Sequence, residues 1–215
     1  MTSSVKMPYT LQPMELPDVD QVSEIEREAF PTLWPPTSYT RELKNRQARY
    51  FVCIEDGVHI DIPKVPSPRS LFDMILRRRR GIQDPGTESR RHVVGFIGLW
   101  FLANEAHIVS VAVRHTYKRQ GIGELLVLGS LEVASSSDQR LVTLEVRVSN
   151  DNARKLYAKY GFSEMGVRPR YYVDNDEDAI IMSTESLDSD KFQRRLTIAL
   201  GEHSTRYGAS RRIYV

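Results

Sequence analysis

The sequence predicts a mixed α/β (α+β) fold in which one central sheet is flanked by helices, and three observations carry this prediction. Strand-like and helix-like periodicities alternate along most of the chain. Two consecutive segments, Val93 to Leu102 and Ile108 to Val113, are apolar on both faces, as is typical of central strands covered by helices. A glycine turn then joins the second segment to an apolar helix. Together these features indicate a sheet that is buried on both sides.

The first part of the chain is predicted to contribute two strands and two helices. Asp18 is predicted to cap the first helix, because Gln21 follows at capping-box spacing and an apolar stripe comes after it. The predicted elements before residue 58 are a strand at Tyr9 to Met14, a helix after Asp18, a short helix at Thr37 to Asn45, and a strand at Tyr50 to Glu55 that Asp56 and Gly57 close.

Residues 58–92 are predicted to form a basic insertion before the third strand. This segment carries eight Lys and Arg residues against four Asp and Glu residues, and it is rich in Pro and Gly. A short apolar patch precedes the run Arg77 to Arg80, so one short helix is predicted there. The cations suit an acidic partner or nucleic acid such as ribosomal RNA. A solvated excursion between two strands is the alternative.

The second half of the chain alternates strand and helix. The predicted elements are a helix from Gly121 to Ala134, a strand at Leu141 to Val148, a helix from Asp151 to Tyr160, and strands at Phe162 to Val167 and Ala179 to Met182. These elements complete a domain over residues 1–187. Residues 188–215 are predicted to be a C-terminal extension of unassigned role.

Composition excludes several classes of protein. The 215 residues are 40% hydrophobic and 27% charged, so one substantial core is expected. Neither a membrane span nor a secretory signal is evident, and a cytoplasmic location is predicted. The single cysteine, Cys53, excludes an internal disulfide and any all-cysteine metal site. The five histidines lack metal-site spacing and a carboxylate partner at motif distance, so no metal is predicted.

A glycine turn after Val113 predicts an anion site. It runs from Lys118 through Gly121 and Gly123 to Glu124. Two glycines at a helix start let several backbone N–H groups converge on one anion at the positive end of the helix dipole. The turn therefore predicts a phosphate or pyrophosphate site, and a glycine turn with solvated cations is the alternative. The Walker A and dinucleotide patterns do not match.

The stretch from Val111 to Gly123 resembles motif A of the GNAT acetyltransferases, with Lys118 where the family has Arg or Gln. Further segments resemble the RimI-type ribosomal-protein-alanine N-acetyltransferases: Leu144 to Asn150, Ala153, Leu156 and Tyr157, Gly161 and Phe162, Arg170 to Tyr172, and Glu177 to Met182. His107 to Val113 is equally similar to archaeal and eukaryotic N-terminal acetyltransferases. The resemblance covers most of residues 8–185.

This resemblance implies a GNAT fold with acetyl-CoA as cosubstrate. It assigns cofactor binding to Val111, Ala112, Val113, Lys118, Arg119, Gln120, Gly121, Ile122, Gly123, Glu124 and Asn150. The implied reaction is acetylation of the N-terminal α-amino group of a protein, such as a ribosomal protein that begins with alanine. A GNAT enzyme for lysine or a small amine is the alternative, and a non-catalytic acyl-CoA-binding module is a third.

Glu145 is the candidate general base. Strand alternation places Thr143, Glu145 and Arg147 on one face of the predicted strand, which a solvated polar face would also explain. An α-amino group of pKa about 8 must lose a proton before it attacks a thioester. Glu145 is the carboxylate best placed to take that proton, and the RimI-type resemblance implies the same role.

Tyr157 is the candidate general acid by resemblance. Its helical spacing alone indicates core packing, but a phenol of pKa near 10 stays protonated at neutral pH and can protonate a departing thiolate. Asn150 precedes the same helix and is predicted to cap it. Cys53 lies in a predicted strand as a small buried hydrophobe, so direct transfer is predicted rather than an acyl-enzyme.

The acceptor site is predicted from the resemblance at two places in the chain. The loop residues Phe30, Pro31 and Trp34 and the hairpin residues Tyr171 and Tyr172 are implied to hold the first residues of the substrate. Paired tyrosines offer flat apolar walls and hydroxyls to a peptide backbone. Simple packing of a loop and a hairpin is the alternative for these aromatic residues.

Overall fold

One mixed sheet of eight strands forms the centre of the computed structural model, which describes residues 6–32, 35–63 and 87–214. The strands are β1 Lys6–Pro13, β2 Ala48–Pro63, β3 Thr87–Leu102, β4 Glu105–Val113, β5 Leu141–Arg147, β6 Phe162–Tyr172, β7 Glu177–Thr184 and β8 Ala209–Arg212. Their order across the sheet is β6-β7-β5-β4-β3-β2-β1-β8. The β4–β5 and β1–β8 pairs are parallel, whereas β1–β2, β3–β4, β5–β7 and β6–β7 are antiparallel. The predicted mixed sheet is confirmed.

Five helices lie within the described residues. They are α1 Val19–Ala29, α2 Tyr39–Glu42, α3 Ile122–Ser136, α4 Asp151–Lys159 and α5 Asp190–Tyr207, and 3-10 turns occur at Leu16–Asp18 and His115–Tyr117. Across the described part of the chain, none of the helices is both long and apolar enough to cross a bilayer.

Helices cover both faces of the sheet. Neighbouring residues of a strand point to opposite faces, so a strand that is apolar throughout needs a covering layer on each side. In β2, Phe51 and Cys53 join a core that includes α3 and α5. Tyr50 and Val52 join a second core with residues of α1 and α2. β2 is therefore apolar on both faces, as expected for a strand between two helical layers.

Asp18 occupies the N-cap position of α1, as predicted, but its side chain makes no capping hydrogen bond to that helix. It ends the 3-10 turn at Leu16–Asp18, and its Oδ2 accepts a hydrogen bond from the backbone N–H of Glu15 at 2.8 Å. Gln21 is buried, and its Oε1 accepts a hydrogen bond of 2.9 Å from the backbone N–H of Val93. The capping residue and its partner therefore both satisfy donors outside α1.

Both strands that flank the predicted insertion are longer than predicted. β2 continues past Asp56 and Gly57 to Pro63, and β3 begins at Thr87. Alternation of Val58, Ile60 and Ile62 with polar residues favours an extended strand beyond the glycine. The described residues 57–63 and 87–92 group in a unit separate from the rest of the chain. The predicted short helix and Arg77 to Arg80 lie outside the described residues.

The C-terminal residues 188–214 belong to the same compact unit as β1 and β4–β7. The Ser189 side chain caps α5 by accepting a hydrogen bond of 3.1 Å from the backbone N–H of Phe192. Phe192, Leu196 and Ala199 are buried in the core that includes α3. β8 then completes the sheet beside β1, so this segment contributes both a helix and an edge strand to the fold.

Candidate active site

β4 and β5 separate from each other part-way along their length. They pair in parallel from Glu105 opposite Leu141 to Ile108 opposite Leu144. Beyond that point each strand stays paired with its outer neighbour, β4 with β3 and β5 with β7. A shift in the β3–β4 register leaves Val109 as an extra residue at the point of separation. Because a bulge bends a strand and interrupts pairing, an opening forms between the C-terminal ends of β4 and β5.

The glycine turn lies just beyond the end of β4. Val111, Ala112 and Val113 form the last residues of that strand, after the bulge. In the turn, Lys118, Arg119 and Gln120 are exposed, and Arg119 has a φ of 64°. Gly121, with a φ of 81°, is the N-cap of α3. The two left-handed residues bring the backbone N–H groups at the start of α3 to face outward, where an anion can bind them.

The side chains of the turn leave this surface open. Ile122 is buried in the core, so only its backbone can contact a ligand. A Cβ added at Gly123 would meet nothing closer than Val113 Cγ2 at 4.0 Å. The exposed cations of Lys118 and Arg119 add to the positive potential at the N-terminus of α3, so both attract an anion. These residues fit a pyrophosphate such as that of acetyl-CoA, with the strand ends of β4 available for the rest of the molecule.

The Glu124 carboxylate is held by three side chains. It accepts hydrogen bonds from Lys159 Nζ at 2.6 Å, from the Tyr160 hydroxyl, and from the Tyr207 hydroxyl at 3.1 Å. Burial alone would raise the pKa of Glu124, but these bonds and the Lys159 charge more than offset it and the pKa is lowered. Because the carboxylate already has these partners, only the backbone of Glu124 is available for the predicted cofactor binding.

The carboxylate of Glu145 on β5 is held between two basic side chains. The side chain is 6% exposed, with Oε2 3.0 Å from His107 Nε2 and Oε1 3.0 Å from an Arg168 guanidinium nitrogen. His107 Nδ1 lies 2.9 Å from the Thr143 hydroxyl. Both carboxylate oxygens are thus fixed in direction, and the Thr143 hydroxyl orients the imidazole that contacts one of them.

His107 and Arg168 are site residues that the sequence did not predict. His107 has no carboxylate at motif spacing, yet Glu145 contacts it from the neighbouring strand, because the parallel register sets His107 opposite Thr143. The absence of a carboxylate at motif distance in the sequence therefore did not exclude a carboxylate partner in space for His107. Its signal in the sequence is weak, because strand register is needed to see that it lies on the same face as Glu145.

Tyr157 lies on α4 and is 6% exposed. Its ring packs against Phe162 at a centroid distance of 5.6 Å. Burial raises the pKa of the Tyr157 phenol, and the neighbouring Tyr172 raises it further. The phenol therefore stays protonated at neutral pH. Tyr172 is in turn within electrostatic range of Glu145, so this tyrosine interacts with both predicted catalytic residues.

Asn150 caps α4, as predicted from its position. Its Oδ1 accepts a hydrogen bond of 3.2 Å from the backbone N–H of Ala153. The Asn150 side chain is exposed at the C-terminal side of β5. Its assignment to cofactor binding stays a prediction.

The hairpin tyrosines lie near the candidate base. Tyr171 and Tyr172 pack edge to face at 5.1 Å, and the negative charge of Glu145 raises the pKa of both phenols, after burial. Phe30 and Pro31 are exposed in the loop after α1. Trp34 lies outside the described residues. The predicted hairpin residues are thus brought to Glu145, whereas the loop residues are placed at the surface.

An Arg147 network ties the β6–β7 hairpin to β5 and to that loop. One guanidinium nitrogen donates to Asp174 Oδ1 and Oδ2 at 2.8 and 2.9 Å, and the other contacts Asn175 Oδ1 at 2.9 Å and Glu177 at 3.1 Å. The guanidinium also covers the Tyr172 ring at 3.9 Å. Asp174 Oδ2 accepts a bond of 2.8 Å from Thr32. Sequence alternation identified the face of Arg147 but none of these contacts.

Two other predictions concern residues outside this cluster. Cys53 is fully buried, and burial raises the pKa of its thiol, so it is not available as a nucleophile. Among the residues that the structure describes, His, Cys, Asp and Glu side chains form no cluster of three or more suited to a metal ion.

Comparison with known proteins identifies the family. The Acetyltransferase (GNAT) family model matches residues 66–162. A candidate [ribosomal protein bS18]-alanine N-acetyltransferase of Bacillus subtilis (strain 168) is 32% identical over 179 residues, which cover 83% of this chain and 96% of the relative. The chain belongs to the GNAT acetyltransferase family. An N-alpha-acetyltransferase of Sulfurisphaera tokodaii is 33% identical over 176 residues, covering 81% of this GNAT chain and 92% of the relative.

A solved structure supports the same GNAT fold. The ribosomal-protein-S18-alanine N-acetyltransferase of Escherichia coli aligns with a TM-score of 0.60 at 23% sequence identity. The alignment covers 84% of this chain and 95% of that chain. The separated strands and glycine turn therefore belong to a GNAT acetyltransferase, a family whose acyl donor is acetyl-CoA.

Proposed function

We propose that this enzyme transfers the acetyl group of acetyl-CoA to the N-terminal α-amino group of a protein. The observation that carries the proposal is the nearly buried Glu145 carboxylate, on the strand that borders the β4–β5 opening and beside the hairpin tyrosines. Acetyl-CoA supplies the acetyl group as a thioester. The glycine turn from Lys118 to Gly123 would bind its pyrophosphate through backbone N–H groups.

The transfer is direct. The acceptor ammonium loses a proton to Glu145, and the free amine attacks the thioester carbonyl carbon, so that a C–N bond forms as the C–S bond breaks. His107, which contacts the Glu145 carboxylate at 3.0 Å, is the neighbouring group that can take the proton on from Glu145. Tyr157 gives the sulfur its proton, because its raised pKa keeps the hydroxyl protonated at neutral pH. The nitrogen loses its second proton as the amide forms, and that proton restores the Tyr157 phenol.

An α-amine suits this base better than a lysine side chain. An α-amino group has a pKa of about 8 and a lysine about 10.4, so a carboxylate must do less work to deprotonate the α-amine. The Glu145 site also lies beside paired tyrosines that offer hydroxyls to a peptide backbone. Relatives named as N-alpha-acetyltransferases support the same acceptor class.

The finer assignment is a protein with a small first residue, such as a ribosomal protein that begins with alanine. It is supported by the relative that carries the name of a bS18-alanine acetyltransferase. A cytoplasmic location accompanies this proposal, because ribosomal proteins are made and assembled there. The alternative acceptor is a lysine or a small-molecule amine.

Intact-mass spectrometry of three matched peptides tests the proposal. The first peptide begins with alanine and contains no lysine. The second differs from the first in two ways: its α-amine is blocked, and one internal residue is replaced by lysine. The third differs from the first only in beginning with a bulky residue. With acetyl-CoA, we expect a gain of one acetyl group on the first peptide only. Acetylation of the second peptide alone would establish the lysine alternative, and CoA binding without turnover on any amine would indicate a non-catalytic binding module.

A further inference from the structure

The C-terminal helix α5 contacts the glycine turn at three points. His203 Nε2 lies 3.0 Å from the Gly121 carbonyl oxygen, and because a carbonyl only accepts, the ring nitrogen carries the hydrogen and donates it. The Tyr207 ring packs on the Gly121 Cα, where an added Cβ would meet a ring carbon at 2.6 Å. The Tyr207 hydroxyl donates to Glu124 at 3.1 Å. One helix therefore contacts the N-cap and the first turn of α3.

The His203 bond fixes the direction of a backbone donor. The Gly121 carbonyl and the Ile122 N–H belong to one planar peptide unit and point in opposite directions. The carbonyl accepts the first helical bond from the Leu125 N–H at 2.9 Å, and His203 adds a second bond from the side. With the carbonyl held from two directions, the Ile122 N–H is held facing outward at the helix N-terminus.

Burial makes this contact costly to lose. His203 is 2% exposed, and its ring packs at a tilt against the Tyr207 ring, with a centroid distance of 5.1 Å. A buried polar group that loses its partner costs more free energy than an exposed one, because water does not replace the bond. Gly121 has a φ of 81°, and its Cα lies so close to the Tyr207 ring that a side chain would not fit there. The His203 hydrogen bond and the Tyr207 ring thus both hold Gly121 in this conformation.

Tyr207 also controls the charge beside the turn. A carboxylate in the first turn of α3 would repel a pyrophosphate bound at that helix end. Tyr207, Tyr160 and Lys159 together hold the Glu124 carboxylate, and the Lys159 ammonium neutralises it at 2.6 Å. The anion at the turn then meets the Lys118 and Arg119 cations rather than an unpaired carboxylate.

We infer that His203 and Tyr207 are positioning residues for acetyl-CoA, so that residues 188–214 form part of the cofactor site rather than an appendage. This inference rests on the proposed function, because it takes the glycine turn as the pyrophosphate site. The two side chains act through Gly121 and Glu124 and do not touch the reacting atoms. Their loss weakens cofactor binding and leaves the acceptor site and the transfer step unchanged.

The test measures CoA binding by calorimetry and steady-state kinetics on His203→Met and His203→Gln. Met keeps the volume but lacks the donor, whereas Gln places an N–H where Nε2 stands. Loss of one buried hydrogen bond is expected to weaken CoA binding, and to raise the KM for acetyl-CoA, by about 3- to 10-fold in His203→Met. His203→Gln is expected to restore both, and kcat and the peptide KM are expected to match wild type in each variant.

Thr205→Val is the matched control, because the Thr205 hydroxyl bonds only within α5, to the Gly201 carbonyl. The inference would be overturned if His203→Met bound CoA as tightly as Thr205→Val does. It would also be overturned if His203→Met lowered kcat and raised the peptide KM as much as it weakens CoA binding, and His203→Gln did not restore them. If His203→Met fails to fold, Tyr207→Phe keeps the ring and removes only the hydroxyl. It is expected to weaken CoA binding by a few-fold, and unchanged affinity would overturn the inference. Wild-type protein that binds no CoA would instead overturn the proposed function.

Discussion

Replacing Glu145 by Gln keeps the size of the side chain and removes the oxygen that accepts the proton. We expect kcat to fall by about 10²- to 10⁴-fold, the range for a general base, with CoA affinity unchanged. Steady-state kinetics with an alanine-initiated peptide measure the effect. Glu105→Gln, at the exposed start of β4, is the matched control. Activity of Glu145→Gln within a few-fold of wild type would remove this residue from the catalytic set.

Tyr157→Phe removes a buried hydroxyl without changing the ring. We expect kcat to fall by about 10²-fold, because the departing thiolate loses its proton donor. Since burial raises the pKa of Tyr157 above its ordinary value of 10.0, the wild-type pH profile should show no loss of this acid between pH 7 and pH 10. Tyr214→Phe, which removes the hydroxyl bonded to Glu132, controls for a lost tyrosine hydroxyl remote from the site.

At the scale of single residues, the sequence predicts Glu145 through strand alternation and resemblance, but it does not predict the partners of Glu145. His107 and Arg168 reach that carboxylate from β4 and β6, the first a direct neighbour of β5 and the second separated from it by β7. Which residues face each other across a sheet depends on register, and a shift of one residue moves a side chain to the opposite face. Charge and alternation within one strand do not determine this.

At the scale of elements, the Arg147 network sets the position of the β6–β7 hairpin. Arg147→Lys keeps the charge but loses the planar fork that contacts Asp174 and Glu177 together. We expect the KM for the acceptor peptide to rise by about 3- to 10-fold while CoA affinity stays unchanged, the loss expected for one or two hydrogen bonds. Kinetics with the peptide varied at saturating acetyl-CoA measure the change.

A second arginine provides the control for this hairpin. Arg212 pairs with Glu132 at 2.9 Å and is 25% exposed, close to the 29% of Arg147. Arg212→Lys should leave the peptide KM at the wild-type value. A rise of equal size in both variants would show that Arg147 acts through general stability rather than through the hairpin.

The elements were predicted well where periodicity alone decides their type. The strand β4 before the glycine turn, the strand β5 after α3, and the helices α3 and α4 all occur near their predicted positions. The prediction was wrong at the end of β2, because Asp56 and Gly57 signal a turn by composition, whereas the strand continues through Gly57 at a φ of 76°. A glycine that interrupts a strand without ending it has the same local signature as one that closes a turn.

At the scale of the whole molecule, His203 links stability to pH. Burial lowers the pKa of His203 below its ordinary value of 6.5 in the folded protein. As the pH falls below about 6.5 the unfolded chain binds a proton that the folded protein does not, so the free energy of unfolding decreases toward the folded pKa. We expect His203→Gln to lose less stability than wild type between pH 7 and pH 5 in denaturant titrations. Parallel profiles would contradict the burial of an uncharged imidazole.

The basic insertion at residues 58–92 is expected to affect the reaction only when the acceptor is a whole protein. We expect replacement of Arg77 to Arg80 by serine to leave kcat/KM for a short peptide unchanged and to lower it for the full-length acceptor. Surface charges act mainly on encounter, so the difference should shrink as salt rises. Equal effects on both substrates, or no effect on either, would show that these arginines do not dock the acceptor.

The parallel pairing of β8 with β1 joins the most N-terminal of the described strands to the most C-terminal one. Lys6 lies opposite Ala209 and Leu11 opposite Arg212. At about 5–20 residues per second, a ribosome needs about 10 to 40 s to proceed from one to the other. Contacts of such high sequence separation form late in folding. The nascent chain therefore exposes one unpaired edge of β1 throughout that interval, and a chain that stalls before Ala209 keeps that edge open to pairing with other strands.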